Sequence, residues 1–205
     1  GINIIAEIKR ASPSKGPIRP DLDPEFYAVQ YEKGGAAALS VLTDHAFFQG
    51  SPEDLKSARG AVSLPVLRKD FLISSYQIYE SSFIGADAVL LIVRILSEEQ
   101  LGDYLKLCHE LQLDALVETH SEADIERAMK AGARIIGINN RNLSSFETDI
   151  EKAISMAGLL EPGQIPVAES GIQGREDIEK LQGAGFHNFL VGESLVRAWE
   201  PAAFL

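Results

Sequence analysis

The feature that most narrows the possible folds is a repeat. "GGAAALSVL" begins at Gly34, "IGADAVLLI" at Ile84, "AGARIIGIN" at Ala131 and "AGFHNFLVG" at Ala184. In each, a glycine (Gly35, Gly85, Gly132, Gly185) precedes an apolar run. Such a glycine ends a helix in the left-handed conformation and releases the chain into a strand. The four glycines lie about 50 residues apart, the length of two strand-plus-helix units. One Gly-Ala step before a strand is ordinary α/β punctuation. Four in phase predict eight βα units, and hence a closed (β/α)8 TIM barrel forming a single domain over 1–205. An open, doubly wound sheet is the alternative architecture.

The rest of the chain fits this scheme. Strand candidates lie at 2–8, 37–43, 65–69, 87–93, 114–118, 134–138, 165–168 and 188–191. Most are apolar on both faces, as parallel strands covered by helices must be. Helix starts fall between them. Asp23 before Pro24 reads as an N-cap followed by proline at the first helical position. Ser51–Asp54, Ser97–Gln100 and Ser121–Asp124 resemble capping boxes, with aspartate as the weaker partner in two.

Composition limits the function classes. The net charge of −11 argues against nucleic acid or an anionic membrane surface as partner, since both need a basic face. No apolar run approaches the roughly 18–20 residues that span a bilayer. The single cysteine, Cys108, fits a reducing compartment, and a cytoplasmic location is expected. The histidines at 45, 109, 120 and 187 show no metal-ligand spacing.

In a (β/α)8 barrel, chemistry sits at the C-terminal ends of the strands. Residues two apart on a strand share a face. The first strand ends in Glu7 and Lys9, the third in Arg68, Lys69 and Asp70, and the fifth in Glu118. The sixth ends in Asn139 and Arg141 and the seventh in Glu169. Any one of these is most simply a solvated strand end, and Lys69 has Asp70 beside it as a surface partner. Five strands placing ionisable or amide groups on one rim point instead to acid–base chemistry with mutually perturbed pKa values. Glycines also follow the seventh and eighth strands, in "ESGIQGRED" and "VGESLVR". Those two loops are the common phosphate site of barrels, where free backbone N–H groups face an anion.

At this point the motifs "IIAEIKRASPSKG", "LPVLRKDF", "ALVETH", "GINNRN", "VAESGI" and "LVGESLV" together resemble the indole-3-glycerol phosphate synthase family, in the family's order and over essentially the whole chain. "SVLTDHAFFQGSPEDL", residues 40–55, is similar to the family's second strand exit. The resemblance implies a carboxy-lyase of tryptophan biosynthesis, using no cofactor or metal. It would convert 1-(2-carboxyphenylamino)-1-deoxyribulose 5-phosphate to indole glycerol phosphate, carbon dioxide and water.

The resemblance assigns Lys69 as the general acid of ring closure, and Glu118 to proton transfer in the dehydration. Lys9 is matched to holding the substrate carboxylate, and Glu7 to the remaining charged catalytic position. Which lysine serves which step stays open. Asn139, Arg141 and Glu169 match substrate-binding positions on the ribulose chain. Phe71, with Phe47 or Phe48, would form a pocket for the aromatic ring. Ser12, Ser170, Gly171, Gly192 and Glu193 would surround the phosphate. A lysine of lowered pKa is the expected acid.

Three departures from the family pattern stand out. Glu193 replaces a small hydroxyl residue, leaving only its backbone N–H for phosphate. Asn142 replaces a common aspartate. The family's helical segment before the first strand is missing, and "EPAAFL" reads as the start of a shortened final helix. A monomer is expected, with self-association if missing segments expose apolar surface. The competing readings are another phosphosugar barrel, such as an isomerase or a Schiff-base aldolase, and a truncated, weakly active or inactive phosphate-binding scaffold.

Overall fold

A computed structural model describes residues 1–142 and 145–205. Eight parallel strands close on themselves in sequence order. They are β1 (Asn3–Ile8), β2 (Ala38–Leu42), β3 (Val66–Lys69), β4 (Ala88–Ile92), β5 (Asp114–Thr119), β6 (Ile135–Asn139), β7 (Ile165–Glu169) and β8 (Asn188–Val191). Closure is made by β1, which pairs with β8 through Asn3↔Asn188 and with β2 through Glu7↔Ser40. The open-sheet alternative is thereby excluded, and the strands fall within a residue or two of their expected bounds.

Helices α1 (Pro24–Gly34), α2 (Pro52–Ala61), α3 (Ser75–Phe83), α4 (Glu98–Glu110), α5 (Glu122–Lys130), α6 (Glu151–Met156), α7 (Arg175–Gly183) and α8 (Glu193–Arg197) follow the strands in turn. A last turn, α9 (Pro201–Phe204), packs on α1. Among the described residues, no helix is long and apolar enough to cross a membrane.

The repeat that pointed to the barrel has the expected cause. Gly35, Gly85, Gly132 and Gly185 all adopt φ between 85° and 95°, a conformation that costs a side-chain-bearing residue about 1–2 kcal/mol. Each turns the chain from a helix into an even-numbered strand.

Two of the three capping boxes form as expected, at Ser51–Asp54 and Ser97–Gln100. The third is half-made. Ser121 Oγ accepts from the Asp124 N–H, but the Asp124 carboxylate turns away to accept from the His120 N–H at 2.9 Å and Arg94 Nε at 3.1 Å. A charge-assisted bond to a guanidinium is stronger than a neutral cap contact, so the arginine wins.

Alternation along each strand splits the core in two. Ala6, Ile8, Leu39, Val41 and Val66 face outward to the helices. Leu67, Leu90, Leu116, Val167 and Leu190 fill the barrel interior. Strand β1 is further fixed at its exit by Arg10. That side chain makes a two-pronged ion pair with Asp54 at the first turn of α2 and donates to the Leu22 carbonyl at 3.1 Å. Arg68 likewise faces outward, buried, and ties Thr43, Asp70, Ser81 and Glu80 together. Asp70 is thus held by Arg68 and not by Lys69.

Arg10 and Arg68 are therefore structural cations at strand ends. Asp54→Ala removes both an N-terminal capping partner and the counter-charge of a largely buried arginine. It should destabilise the protein by about 2–4 kcal/mol in denaturant melts. A loss below about 0.5 kcal/mol would show that this clamp carries no weight.

Candidate active site

The inward positions just below the mouth belong to Glu7 on β1, Lys69 on β3, Glu118 on β5 and Glu169 on β7. Two residues earlier on the same strands stand Ile5, Leu67, Leu116 and Val167, which are apolar and packed inside the barrel. The alternate-strand layering of the fold therefore stacks one charged layer on an apolar floor.

Lys69 is the hub. Its Nζ lies 3.0 Å from Glu169 Oε2 and 3.2 Å from Glu7 Oε2. Lys9 Nζ completes the chain at 2.7 Å from Glu7 Oε1. Glu7 and Glu118 are buried, and Glu169 is wholly so.

This packing sets the proton affinities. Burial alone would lower the Lys69 pKa. The Glu169, Glu7 and Glu118 carboxylates outweigh it and hold the ammonium well above the ordinary lysine value. The expectation of a lowered lysine pKa is therefore wrong, because three buried acids surround one cation. Burial also works against charge on Glu7, yet Lys69 and Lys9 hold that carboxyl down at about 2. Glu118 moves the other way. Burial, and then the Glu169 carboxylate, push it well above the usual carboxylate range, against the pull of Lys69 and Asn139. Within one layer the site thus holds an acid pushed toward ionisation, an acid pushed toward its neutral form and a lysine that keeps its proton firmly.

A small residue makes this layer possible. A Cβ on Gly137, on β6, would stand 2.0 Å from Glu169 Oε1 and 3.1 Å from its Cδ. Gly192 does the same for the other side, where a Cβ would meet Glu7 Oε1 at 2.4 Å and Lys9 Nζ at 2.9 Å. Gly192 was singled out as a phosphate contact. The structure adds a steric reason for it.

Above the charged layer the mouth opens into two lobes. One, of about 660 Å³, lies over the loops after β7 and β8, and reaches Lys15, Gly171, Gly192, Glu193 and Arg197. The other, of about 350 Å³, is lined by Phe47, Phe48, Phe71, Leu42 and Ile92. Lys9, Lys69, Arg141, Ser14 and Ser170 border both. Both Phe47 and Phe48 therefore join Phe71, with ring centroids 5.9 and 6.2 Å from it.

Other expected residues fall as follows. Asn139 is buried beside Glu118, and its Oδ1 accepts from the Arg141 N–H at 3.0 Å. Arg141 reaches back to Ser14 Oγ at 3.1 Å and the Phe146 carbonyl at 2.9 Å. Ser170 and Gly171 both have positive φ, 66° and 79°, which turns the backbone sharply at the end of β7. Ser12, expected at the phosphate, lines the aromatic lobe instead, and Ser14 occupies the shared border. The hairpin Ala11–Ser12/Gly16–Pro17 causes the exchange by folding the loop back on itself. The carboxylate of Glu193 is taken by Arg197 Nε at 3.1 Å, which offsets its charge at the lobe.

Four contributors escaped the sequence reading: Gly137, Arg197, Ser14 and His120. His120 is buried, with its Nε2 3.2 Å from Glu118 Oε1. Burial, with Arg94 and Lys152 nearby, pushes its imidazole down to about 4. Its signal was present: it stands two residues after Glu118, the spacing that links Glu7 to Lys9.

A closed (β/α)8 barrel with a layered acid–base cluster under a polar and an aromatic lobe defines a barrel enzyme for a small, partly aromatic anion. Comparisons with known proteins give the particular family. The family model described as indole-3-glycerol phosphate synthase matches residues 1–205. The indole-3-glycerol phosphate synthase of Desulfosudis oleivorans is 60% identical over 205 residues, covering 100% of this chain and 78% of that protein. The enzyme of the same name from Syntrophobacter fumaroxidans is 58% identical, covering 100% and 77%. The chain belongs to the indole-3-glycerol phosphate synthase family. Among solved structures, the thiamine phosphate pyrophosphorylase of Pyrococcus furiosus superposes with a TM-score of 0.74 at 14% identity, covering 99% of this chain and 91% of that one. That likeness speaks to the barrel alone.

Two outcomes follow from this geometry. Gly137→Ala should drive the Glu169 carboxylate off Lys69 and lower kcat/KM by about 100-fold, because an ångström of misplacement costs that much. Unchanged kinetics would mean that Glu169 has room to move. The folded state also resists protonating His120. The histidine contributes stability that is complete above about pH 6.5 and is lost as pH falls toward 4. Glu7 adds a second loss lower down, between about 4.5 and 2. Glu118 works in the opposite sense, because its raised pKa adds stability as pH falls toward about 4.5, so the His120 loss is read as the difference between the parent and His120→Gln in denaturant melts across pH 7 to 4. Parallel pH curves for the two proteins would contradict a buried neutral imidazole.

Proposed function

We propose that the charged layer performs the ring closure, decarboxylation and dehydration of 1-(2-carboxyphenylamino)-1-deoxyribulose 5-phosphate to indole-3-glycerol phosphate. The single observation that carries the residue roles is Lys69. It sits where the two lobes meet, held between Glu7 and Glu169. The phosphate end suits the cationic lobe over the β7 and β8 loops, and the aromatic end suits the phenylalanine lobe.

In ring closure, an aromatic carbon attacks the ribulose carbonyl and charge builds on its oxygen. Lys69 supplies the proton. Its raised pKa keeps that proton in place in the resting enzyme. The proton leaves only toward an oxygen becoming a still stronger base. Lys9, at the edge of the same lobe, holds the substrate carboxylate until carbon dioxide departs. The surrounding aromatic rings favour that loss by poorly solvating the carboxylate.

Dehydration then needs a proton on the departing hydroxyl and a base for the proton on the ring carbon beside nitrogen; Lys69, left neutral by ring closure, is suited to take that second proton and so regain its charge. Glu118, kept protonated by burial and by Glu169, is suited to give the first. Asn139 and Arg141 fit the ribulose hydroxyls between the lobes. Glu7 is suited to hold both lysines in register. Backbone N–H groups near Ser170, Gly171, Gly192 and Glu193 serve the phosphate, aided by Arg197. In this reading Ser12 approaches the substrate from the aromatic side. In this reading the catalyst acts as a monomer.

Incubation with the anthranilate-ribulose phosphate should release a product with indole fluorescence. Lys69→Met should lower kcat by at least about 1,000-fold with an unchanged circular dichroism spectrum. Turnover near the parent rate in that variant would sink the assignment of Lys69 as the acid.

A further inference from the structure

A second polar pocket lies behind the mouth. It has a volume of about 390 Å³, room for several waters, and is lined by Arg94, His120, Asn140, Asp149 and Lys152, among others. Among the described residues, it touches the two substrate lobes only through Arg141 and Glu147. His120 stands between this pocket and the charged layer. Its side chain is almost fully buried, with Nε2 3.2 Å from Glu118 Oε1. Among the described residues, neither ring nitrogen makes an aligned hydrogen bond to another protein group. A buried imidazole with no aligned hydrogen bond is costly, and natural cores rarely keep one without a use.

The surroundings hold the ring firmly in place. The Asp124 carboxylate of α5 accepts from the His120 backbone N–H and from Arg94 in the turn after β4. Arg94 also donates to the His120 carbonyl. Lys152 of α6 donates to the Asn139 carbonyl at 2.8 Å. The charged groups facing the imidazole are thus Arg94, Asp124, Lys152 and, from β3, Lys69, besides Glu118 on its own strand. Cations on three elements favour a ring that is neutral at rest and charged only in passing.

We propose that His120 is a positioning residue that acts through Glu118 as a proton relay, linking that carboxyl to the rear pocket while substrate fills the mouth. The inference rests on the dehydration role given to Glu118. Once Glu118 has protonated the departing hydroxyl, it is a carboxylate sealed beneath the product. A solvent proton from the rear pocket binds Nδ1 of the neutral ring. The Nε2 proton then passes to Glu118 Oε1, leaving the ring neutral with its proton on Nδ1. One proton enters and one leaves, and no electrons are exchanged. A proton travelling outward runs the same steps backwards and restores the first tautomer.

The experiment compares Glu118→Gln, His120→Asn and His120→Ala with the parent enzyme, with imidazole as the probe. The relay predicts that both His120 variants lose about 10- to 100-fold in kcat, with KM within about twofold. It also predicts that the pH limb belonging to Glu118 moves, and that added imidazole restores His120→Ala. If Glu118→Gln is inactive while both His120 variants keep the parent kcat and pH limb, the relay is overturned. It is equally overturned if they are slow but keep the limb and imidazole restores nothing, since packing alone then explains the loss. If Glu118→Gln itself turns over normally, the role of Glu118 fails instead.

Discussion

One ammonium group organises this protein's mouth. Lys69 enters a layer in which three carboxylates are buried, and without it Glu7 and Glu169 would face each other across a water-poor space. An uncompensated buried charge costs several kcal/mol, so the cation and its acids are mutually required. That mutual need explains why proton affinities are displaced in opposite directions within a few ångströms. Glu7, with two lysines, is pushed toward ionisation, and Glu118, by burial and then by the Glu169 carboxylate, is pushed toward its neutral form. Distinct acid and base roles arise from one layer because the partners are distributed unequally.

The barrel geometry makes that layer affordable to the fold. The interior below it is filled by Leu67, Leu90, Leu116, Val167 and Leu190, so no water column reaches the acids from beneath. Between the layers, Gly137 leaves the volume that the Glu169 carboxylate occupies. The cations that serve only the scaffold, Arg10 and Arg68, are turned outward and paired with Asp54, Asp70 and Glu80. Adjacent positions on β3 illustrate the division. Arg68 braces the strand against α3 and Lys69 faces the mouth of the barrel.

Much of this was legible from residue order. The phased glycines led to the barrel because a left-handed turn has few alternatives to glycine, and all four adopt it. The two-residue spacing of Glu7 and Lys9, and of Asn139 and Arg141, identified the inward face at the mouth. The misses share a cause. Arg197 follows Glu193 by one helical turn and Ser14 lies in a folded-back hairpin, so neither is placed by strand alternation. Gly137 has an unremarkable backbone, and its importance appears only once Glu169 is seen across the barrel. The Ser121–Asp124 box failed because Arg94, some 30 residues earlier, competes for the carboxylate.

Local physics, carried in the order of residues, determined the eight-fold alternation, the rim that carries the charged layer and the identity of nearly all charged groups in it. Periodicity and turn chemistry depend on neighbours a few positions away, and the sequence displays these directly. Tertiary structure alone decided which charges meet, and hence the direction of each pKa shift. Lys69 was expected to hold its proton loosely and instead holds it tightly, because Glu7, Glu118 and Glu169 arrive from three other strands. Electrostatic energy depends on distance through space and on exclusion of water, and both are fixed only when the barrel closes.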